Sequence, residues 1–319
     1  MNNQQYRNQV ALLIRIMPLV YKIKDFAVHG GTAINLFHQN MLRYSVDIDL
    51  TYIPIEPRTE SLEKINQYLQ EMKVAIERAI PQTRVVHKSD VWKLQCTHNG
   101  AMVKIEVNGT NRGILGEVEI RELSSKAKEE FQANCKARIV PYSQLYGGKI
   151  LAALNRQHPR DMFDCKYMKD EKFERVKEGL FLCLLGSDKP IIESLCPNPI
   201  NQEEALENQF KGMSAIPFSY TDYEQARKAI IKKVGECFTK TDREFLVTFE
   251  EGTPQWEKCC AGDLNRFPSV QWKLLNINKL KEQAPQKYQE GISKLKNYWW
   301  CFKKYDTTLD VPIIDIKES

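Results

Sequence analysis

Three short stretches hold the residues best suited to chemistry. The first is Ser45-Val-Asp47-Ile-Asp49-Leu. Its polar–apolar alternation is the strand period, and alternate side chains of a strand share a face. Ser45, Asp47 and Asp49 therefore project together, while Val46, Ile48 and Leu50 turn to the other side. The two carboxylates sit ~7 Å apart along the strand. They repel each other unless a cation lies between them. Oxygen pairs of this kind suit Mg2+, which keeps positions open for substrate phosphates. The second stretch, Val103-Lys-Ile-Glu106-Val-Asn108, alternates in the same way. If it pairs beside the first, Glu106 completes a three-carboxylate site for one or two ions. Taken alone, Asp-x-Asp also fits a solvated strand edge, and Glu106 an exposed strand glutamate.

The third stretch covers residues 142–168, read as two helices broken at His158-Pro159. Lys149 lies in the first helix, where it is either solvated or placed to neutralise phosphate charge in a transition state. Asp161 and Asp164 are three residues apart and share a helix face with Cys165 and Met168. Carboxylates beside apolar neighbours suggest a half-buried polar task. One of the two could orient Lys149 or accept a proton from an acceptor hydroxyl; the spacing does not separate them. Arg160 could contact phosphate or cap the helices.

These groups need a scaffold. Asp25-Phe-Ala-Val-His29 reads as a strand stopped by Gly30-Gly31, and residues 32–38 resume a helical pattern with Thr32 as the expected N-cap. Glycines let backbone approach a ligand closely, and a helix start offers free amides to phosphate. Strand, Gly-Gly turn and helix start together suit a triphosphate site of Gly30, Gly31, Thr32 and Ser45, with Arg43 among the nucleotide-binding residues; a plain tight turn would explain Gly30-Gly31 but not the acidic strand that follows. Residues 91–98 and 101–108 form a hairpin around Asn99-Gly100, a dipeptide that takes type I′ angles. Helices are expected over 5–21 and 60–80. Beyond residue 170 strand signals nearly vanish. Ser187-Asp188-Lys189-Pro190 resembles a helix start, and Thr221-x-x-Glu224 and Thr241-x-x-Glu244 fit capping boxes. The expected class is α+β: a mixed-sheet domain over residues 1–185, then a helical bundle over 186–319.

Here the residues reach a family resemblance. Gly-Gly-Thr, a spacer and Arg43-x-Ser45-x-Asp47-x-Asp49 resemble the minimal nucleotidyltransferase signature, and more narrowly the AbiEii/AbiGii toxins of bacterial abortive-infection and toxin–antitoxin systems. The similarity continues at Ile105-Glu106-Val107-Asn108, at Tyr146-Gly-Gly-Lys149 and at Arg156-x-x-x-Arg160-Asp161-x-Phe-Asp164, and covers residues 1–170. Phe267-Pro-Ser-Val-Gln-Trp272-Lys273 is similar to longer members. The resemblance implies a nucleotidyltransferase fold and Mg2+-dependent use of a nucleoside triphosphate. It implies metal-binding roles for Asp47, Asp49 and Glu106, and carries the family's lysine onto Lys149. Some members add nucleotides to tRNA 3′ ends. An RNA acceptor, growth arrest and a cognate antitoxin are thereby implied. Where the family often has Gly-Ser, this chain has Gly31-Thr32, which keeps the hydroxyl. A small-molecule nucleotidyltransferase, a non-catalytic NTP-binding regulator and a pure interaction protein are the rivals.

Composition narrows the field from the other side. Of 319 residues, 42% are hydrophobic and 27% charged, too apolar for a disordered polyelectrolyte. No apolar run reaches the ~20 residues of a membrane span, and Arg15 interrupts the only N-terminal candidate for a signal peptide. The nine cysteines lack metal-site spacing, so reduced cytoplasmic thiols are expected. The net charge of +5 falls unevenly. Residues 191–319 hold 18 basic and 19 acidic side chains, so the excess belongs to the half with the metal-binding acids. Residues 274–305 hold seven lysines against two glutamates, among Tyr288, Tyr298, Trp299, Trp300 and Phe302. Those rings either stack on bases or pack a bundle.

Overall fold

The computed structural model describes residues 3–168 and 173–304. Helix α1 (Asn3–Lys22) leads into β1 (Phe26–His29), which passes directly into α2 (Gly30–Thr32) and a π-helical turn, Ala33–His38. Then come β2 (Asp47–Tyr52), α3 (Arg58–Ala79), β3 (Arg84–Lys88), β4 (Lys93–His98), β5 (Ala101–Val107), β6 (Glu119–Glu122), α4 (Ser125–Phe131) and β7 (Lys136–Ile139). The rest of the described chain is helical: α5 (Tyr142–Arg156), α6 (Pro159–Lys166), α7 (Glu174–Leu185), α8 (Ile191–Leu195), α9 (Glu203–Ala205), α10 (Tyr220–Cys237), α11 (Lys240–Glu250), α12 (Pro268–Gln283) and α13 (Pro285–Lys304). The α+β expectation holds.

The seven strands form one mixed sheet in the order β3-β4-β5-β2-β1-β7-β6. β2 lies at its centre, antiparallel to β1 and parallel to β5. The register sets Ile48 beside Ile105 and Leu50 beside both Val28 and Val107. This apolar face is fully buried. Tyr68 of α3 packs edge-on against Phe26 there, and α1 also packs on β5 and β7. Burial at ~25 cal/mol per Å2 of apolar surface is what fixes the register, because a one-residue slip would turn these side chains to the polar face. The hairpin forms as expected, with positive φ at both Asn99 and Gly100. β3, β6 and β7 escaped the sequence reading, being short and strongly polar.

Helix ends depart from expectation in instructive ways. Thr32 does not cap a helix, since α2 already begins at Gly30. The capping boxes lie two residues upstream of those read from sequence: Ser219 with Asp222, and Thr239 with Asp242. Aspartate at the third helical position returns the reciprocal bond as glutamate would. Among the expected base-stacking rings, Tyr288, Tyr298 and Trp299 are buried and pack the bundle. The side chains of Trp300 and Phe302 lie outside the described residues. The eight described cysteines are free thiols, and no described helix is long and apolar enough to cross a membrane.

Candidate active site

The register of three neighbouring strands builds the acidic face. Asp49 pairs with His29 on one side and Glu106 on the other, and Asp47 pairs with Lys104. Asp47, Asp49 and Glu106 thus share one face, as the alternation requires. Burial raises the Asp47 pKa, and the like charge of Asp49 raises it further. Glu106 points aside into an ion pair with Lys93 of the hairpin and remains half-exposed.

Beside these acids the Gly30–Gly31 turn comes extremely close. Gly30 has φ +72°, and a Cβ there would strike the Asp49 carboxylate. A Cβ on Gly31 would meet Arg43 Nη2 and Ser45 Oγ. Thr32 is fully buried; its hydroxyl donates to the Asp47 carbonyl at 2.5 Å and lies 3.1 Å from Ser45 Oγ, from which it can accept. It therefore ties the turn to the start of β2.

The helical pair supplies a second, buried layer of charge. Lys149 Nζ lies 2.8 Å from Asp161 Oδ1 and 3.1 Å from Asp164 Oδ2. Arg43, grouped by sequence with the nucleotide-binding residues, is instead held by Asp164. Its Nε donates to Oδ1 at 2.8 Å and its Nη2 to Oδ2 at 2.6 Å. Asn35 also donates to Asp164 Oδ1, at 3.0 Å, and accepts from the Arg43 backbone amide. Asp164 is 0% exposed and has no free oxygen facing the acids. Asp161 differs: its other oxygen pairs at 2.8 Å with Arg156, whose side chain is 65% exposed. Burial alone would raise both aspartate pKa values, but neighbouring cations outweigh it; Lys149 and Arg156 hold Asp161 down at about 2. Burial likewise opposes the Lys149 charge, and the two aspartates overcome it, leaving the lysine more firmly protonated.

His29 went unremarked in the sequence because a lone histidine at a strand end has no pattern. Burial keeps it neutral, with Asp49 favouring its charge and Lys149 and Arg156 opposing it. Its Nδ1 is buried without a partner, and the ring lines a cavity of about 760 Å3 that extends to Asn108, Arg112, Lys189 and Trp272.

Among the described residues no three His, Cys, Asp or Glu side chains are gathered for a metal ion. The donors do fit Mg2+, which is commonly held by one or two carboxylates with water and substrate phosphates. Asp47 and Asp49 supply that pair; burial raises the Asp47 pKa most and the Asp49 charge adds to it, with Lys104 and Arg160 opposing, and a bound cation would favour the ionised form. Glu106 is ion-paired with Lys93, and its charge still reaches Asp47.

Known proteins bear on this geometry. Among curated proteins no sequence matches. Among solved structures the chain is similar to MenT4, a nucleotidyltransferase toxin from Mycobacterium tuberculosis H37Rv, with a TM-score of 0.57 at 12% identity, covering 86% of this chain and 93% of that one. That likeness concerns the fold. The model of the family described as "Nucleotidyl transferase AbiEii toxin, Type IV TA system" matches residues 11–276. An acidic strand face, a glycine turn pressed against it and a buried lysine sit within that span, and the chain belongs to the AbiEii family of nucleotidyltransferase toxins.

Proposed function

We propose that this toxin transfers a nucleotide from an NTP to an acceptor hydroxyl on RNA, such as a tRNA 3′ end, in the cytoplasm and with Mg2+. One observation carries the reading: two like-charged carboxylates on adjacent same-face positions lie against a glycine turn whose backbone leaves no room for a side chain. Such an arrangement is costly unless a cation and a phosphate chain complete it.

The reaction is in-line attack of the acceptor oxygen on the α-phosphorus. A new P–O bond forms, the bond from the α-phosphorus to the bridging oxygen breaks to release pyrophosphate, and the acceptor hydroxyl gives its proton to solvent. Asp47 and Asp49 would hold the Mg2+, which supplies Lewis-acid neutralisation of the α-phosphate. Gly30 and Gly31 present backbone to the triphosphate, with Ser45 beside them. Lys149 neutralises phosphate charge. Asp161, with a pKa of about 2, is too weak a base to take the acceptor proton at neutral pH. We assign Asp161 and Asp164 to holding Lys149, and Thr32 and Arg43 to holding the turn and the entry to β2. Glu106 would reach the site only by leaving Lys93.

Incubation with each labelled NTP, Mg2+ and total RNA, followed by a gel, tests this. Label should enter RNA with one or more NTPs and should vanish with Asp47→Ala, whose melting temperature should match the wild type. Induced expression should arrest growth, and Asp47→Ala should relieve the arrest. Pyrophosphate release with no label in RNA would point to a small-molecule acceptor and overturn the RNA assignment. Membership in a type IV toxin–antitoxin family implies an antitoxin, and in our reading it acts without direct contact.

A further inference from the structure

The cavity beyond His29 contains a group that the transfer reaction as described does not use. Arg112 lies in the loop after β5 and is only 4% exposed. Its Nη1 donates to the Glu56 carbonyl at 3.2 Å, while its Nε is buried with no partner. No described carboxylate forms an ion pair with it, although it lines the cavity. The Glu56 charge reaches Arg112, but that carboxylate is ion-paired with Lys64. A buried guanidinium with no carboxylate of its own is costly, and an anionic ligand in the cavity would relieve it. The cavity agrees in sign: Arg112, Arg156, Lys189 and Lys273 line it, against Asp188 and Glu250.

Position identifies the anion. The triphosphate cradle adjoins the start of β2, at Gly30, Gly31 and Ser45. The Arg112 loop joins the other end: the Gly113 amide donates to the Tyr52 carbonyl at 2.8 Å. Tyr52 is three residues past Asp49, about 10 Å along the strand. An NTP carries its charge on the triphosphate, and its nucleoside is neutral. An anion site on the far side of the acids therefore suits a substrate that brings phosphate of its own. Across the cavity, Trp272 on α12 is 50% exposed at the rim. Its helix is pinned where Lys273 Nζ donates to the Leu184 carbonyl at 3.2 Å and the Lys189 carbonyl at 2.6 Å. Bases stack on exposed rings of this kind.

We propose that Arg112 binds a backbone phosphate of the polynucleotide acceptor strand and that Trp272 stacks on one of its bases. This rests on the RNA-acceptor reading above and assigns it a site. The test is anisotropy of a 5′-fluorescein single-stranded 12-mer RNA, titrated with the full chain over a range of salt concentrations. For Arg112→Gln the affinity should fall about tenfold. The slope of log K against log salt should shrink in magnitude by about 0.7, the value for one phosphate contact on a single strand. Trp272→Ala should weaken binding about tenfold with the slope unchanged. Arg112→Lys, melting as the wild type does, should restore the slope. Filter binding of each labelled NTP should be unchanged in Arg112→Gln. Wild-type affinity and slope in that variant, or lost NTP binding with RNA binding intact, overturns the proposal alone. If the wild-type chain binds no RNA and labels none, the RNA-acceptor reading fails with it.

Discussion

At the scale of single residues, the site separates into groups that would meet substrate and groups that meet only each other. Arg43, Asn35 and Asp164 belong to the second kind, since every polar edge the structure gives them is turned inward. Asp161 lies between, bonded to buried Lys149 and to exposed Arg156. Breaking a buried pair leaves an uncompensated charge, so this cluster must titrate as part of the fold. The sign follows from the shift. The folded pKa of Asp161 is about 2, below its ordinary 3.8. Asp161 therefore stabilises the protein above about pH 4, and that contribution fades as pH falls toward about 2. At 1.36 kcal/mol per pKa unit, it amounts to about 2 kcal/mol. Urea unfolding at pH 5 and pH 2.5 should show Asp161→Asn losing less stability between the two than the wild type by about two-thirds of that amount. Equal losses would mean the cluster does not hold Asp161 ionised.

At the scale of elements, the contrast is between patterns a local window carries and partners it does not. The acidic face was legible because strand alternation is strict over residues 45–50 and 103–108, and the hairpin because Asn99-Gly100 accepts two positive φ angles that most residues resist. The β2–β5 pairing then made the placement of Glu106 beside Asp49 readable. The diversion of Glu106 to Lys93 was not, because it depends on a cross-strand neighbour in β4. Nor was the Arg43–Asp164 pair, whose partners are 121 residues apart. Arg112 had no pattern at all; only burial without a partner marks it. The Gly30 turn is the element on which the reaction depends most sharply. L-residues pay ~1–2 kcal/mol for left-handed backbone, and any Cβ at Gly30 also strikes Asp49. Gly30→Ala should therefore melt within several degrees of the wild type while transfer of labelled nucleotide falls at least a hundredfold. Near-normal transfer in a folded Gly30→Ala protein would remove the turn from the site.

At the scale of the whole molecule, the sheet and the helical bundle share one continuous apolar core, running from α1 to Trp299 of α13. α7 sits on the seam. Gly179 lets it approach α5 so closely that a Cβ would strike the Ser143 backbone. On its other side, Phe181 packs against Phe238 at 5.3 Å and Phe245 at 6.1 Å between ring centroids. The bundle also grips the approach to β2. The Tyr44 amide donates to the Met213 carbonyl at 2.7 Å, and Ser214 Oγ to the Leu42 carbonyl at 2.7 Å. Those bonds flank Arg43 on either side, so the helical half helps set where Ser45 and Asp47 begin. The two segments drawn from sequence, 1–185 and 186–319, are in our view units of composition that cannot fold apart. A fragment of residues 1–185 would expose Phe181, fully buried in the intact chain against Phe238 and Phe245, and would lose the clamp on residues 42–44. That much exposed apolar surface favours a loosely packed state over a fixed one. The fragment should keep far-UV helical signal, lose near-UV signal, bind the dye ANS and bind no NTP. The full chain should unfold with coincident far-UV and tryptophan-fluorescence transitions. A fragment with native near-UV signal and NTP binding would establish an autonomous catalytic domain and refute the shared core as a requirement for the site.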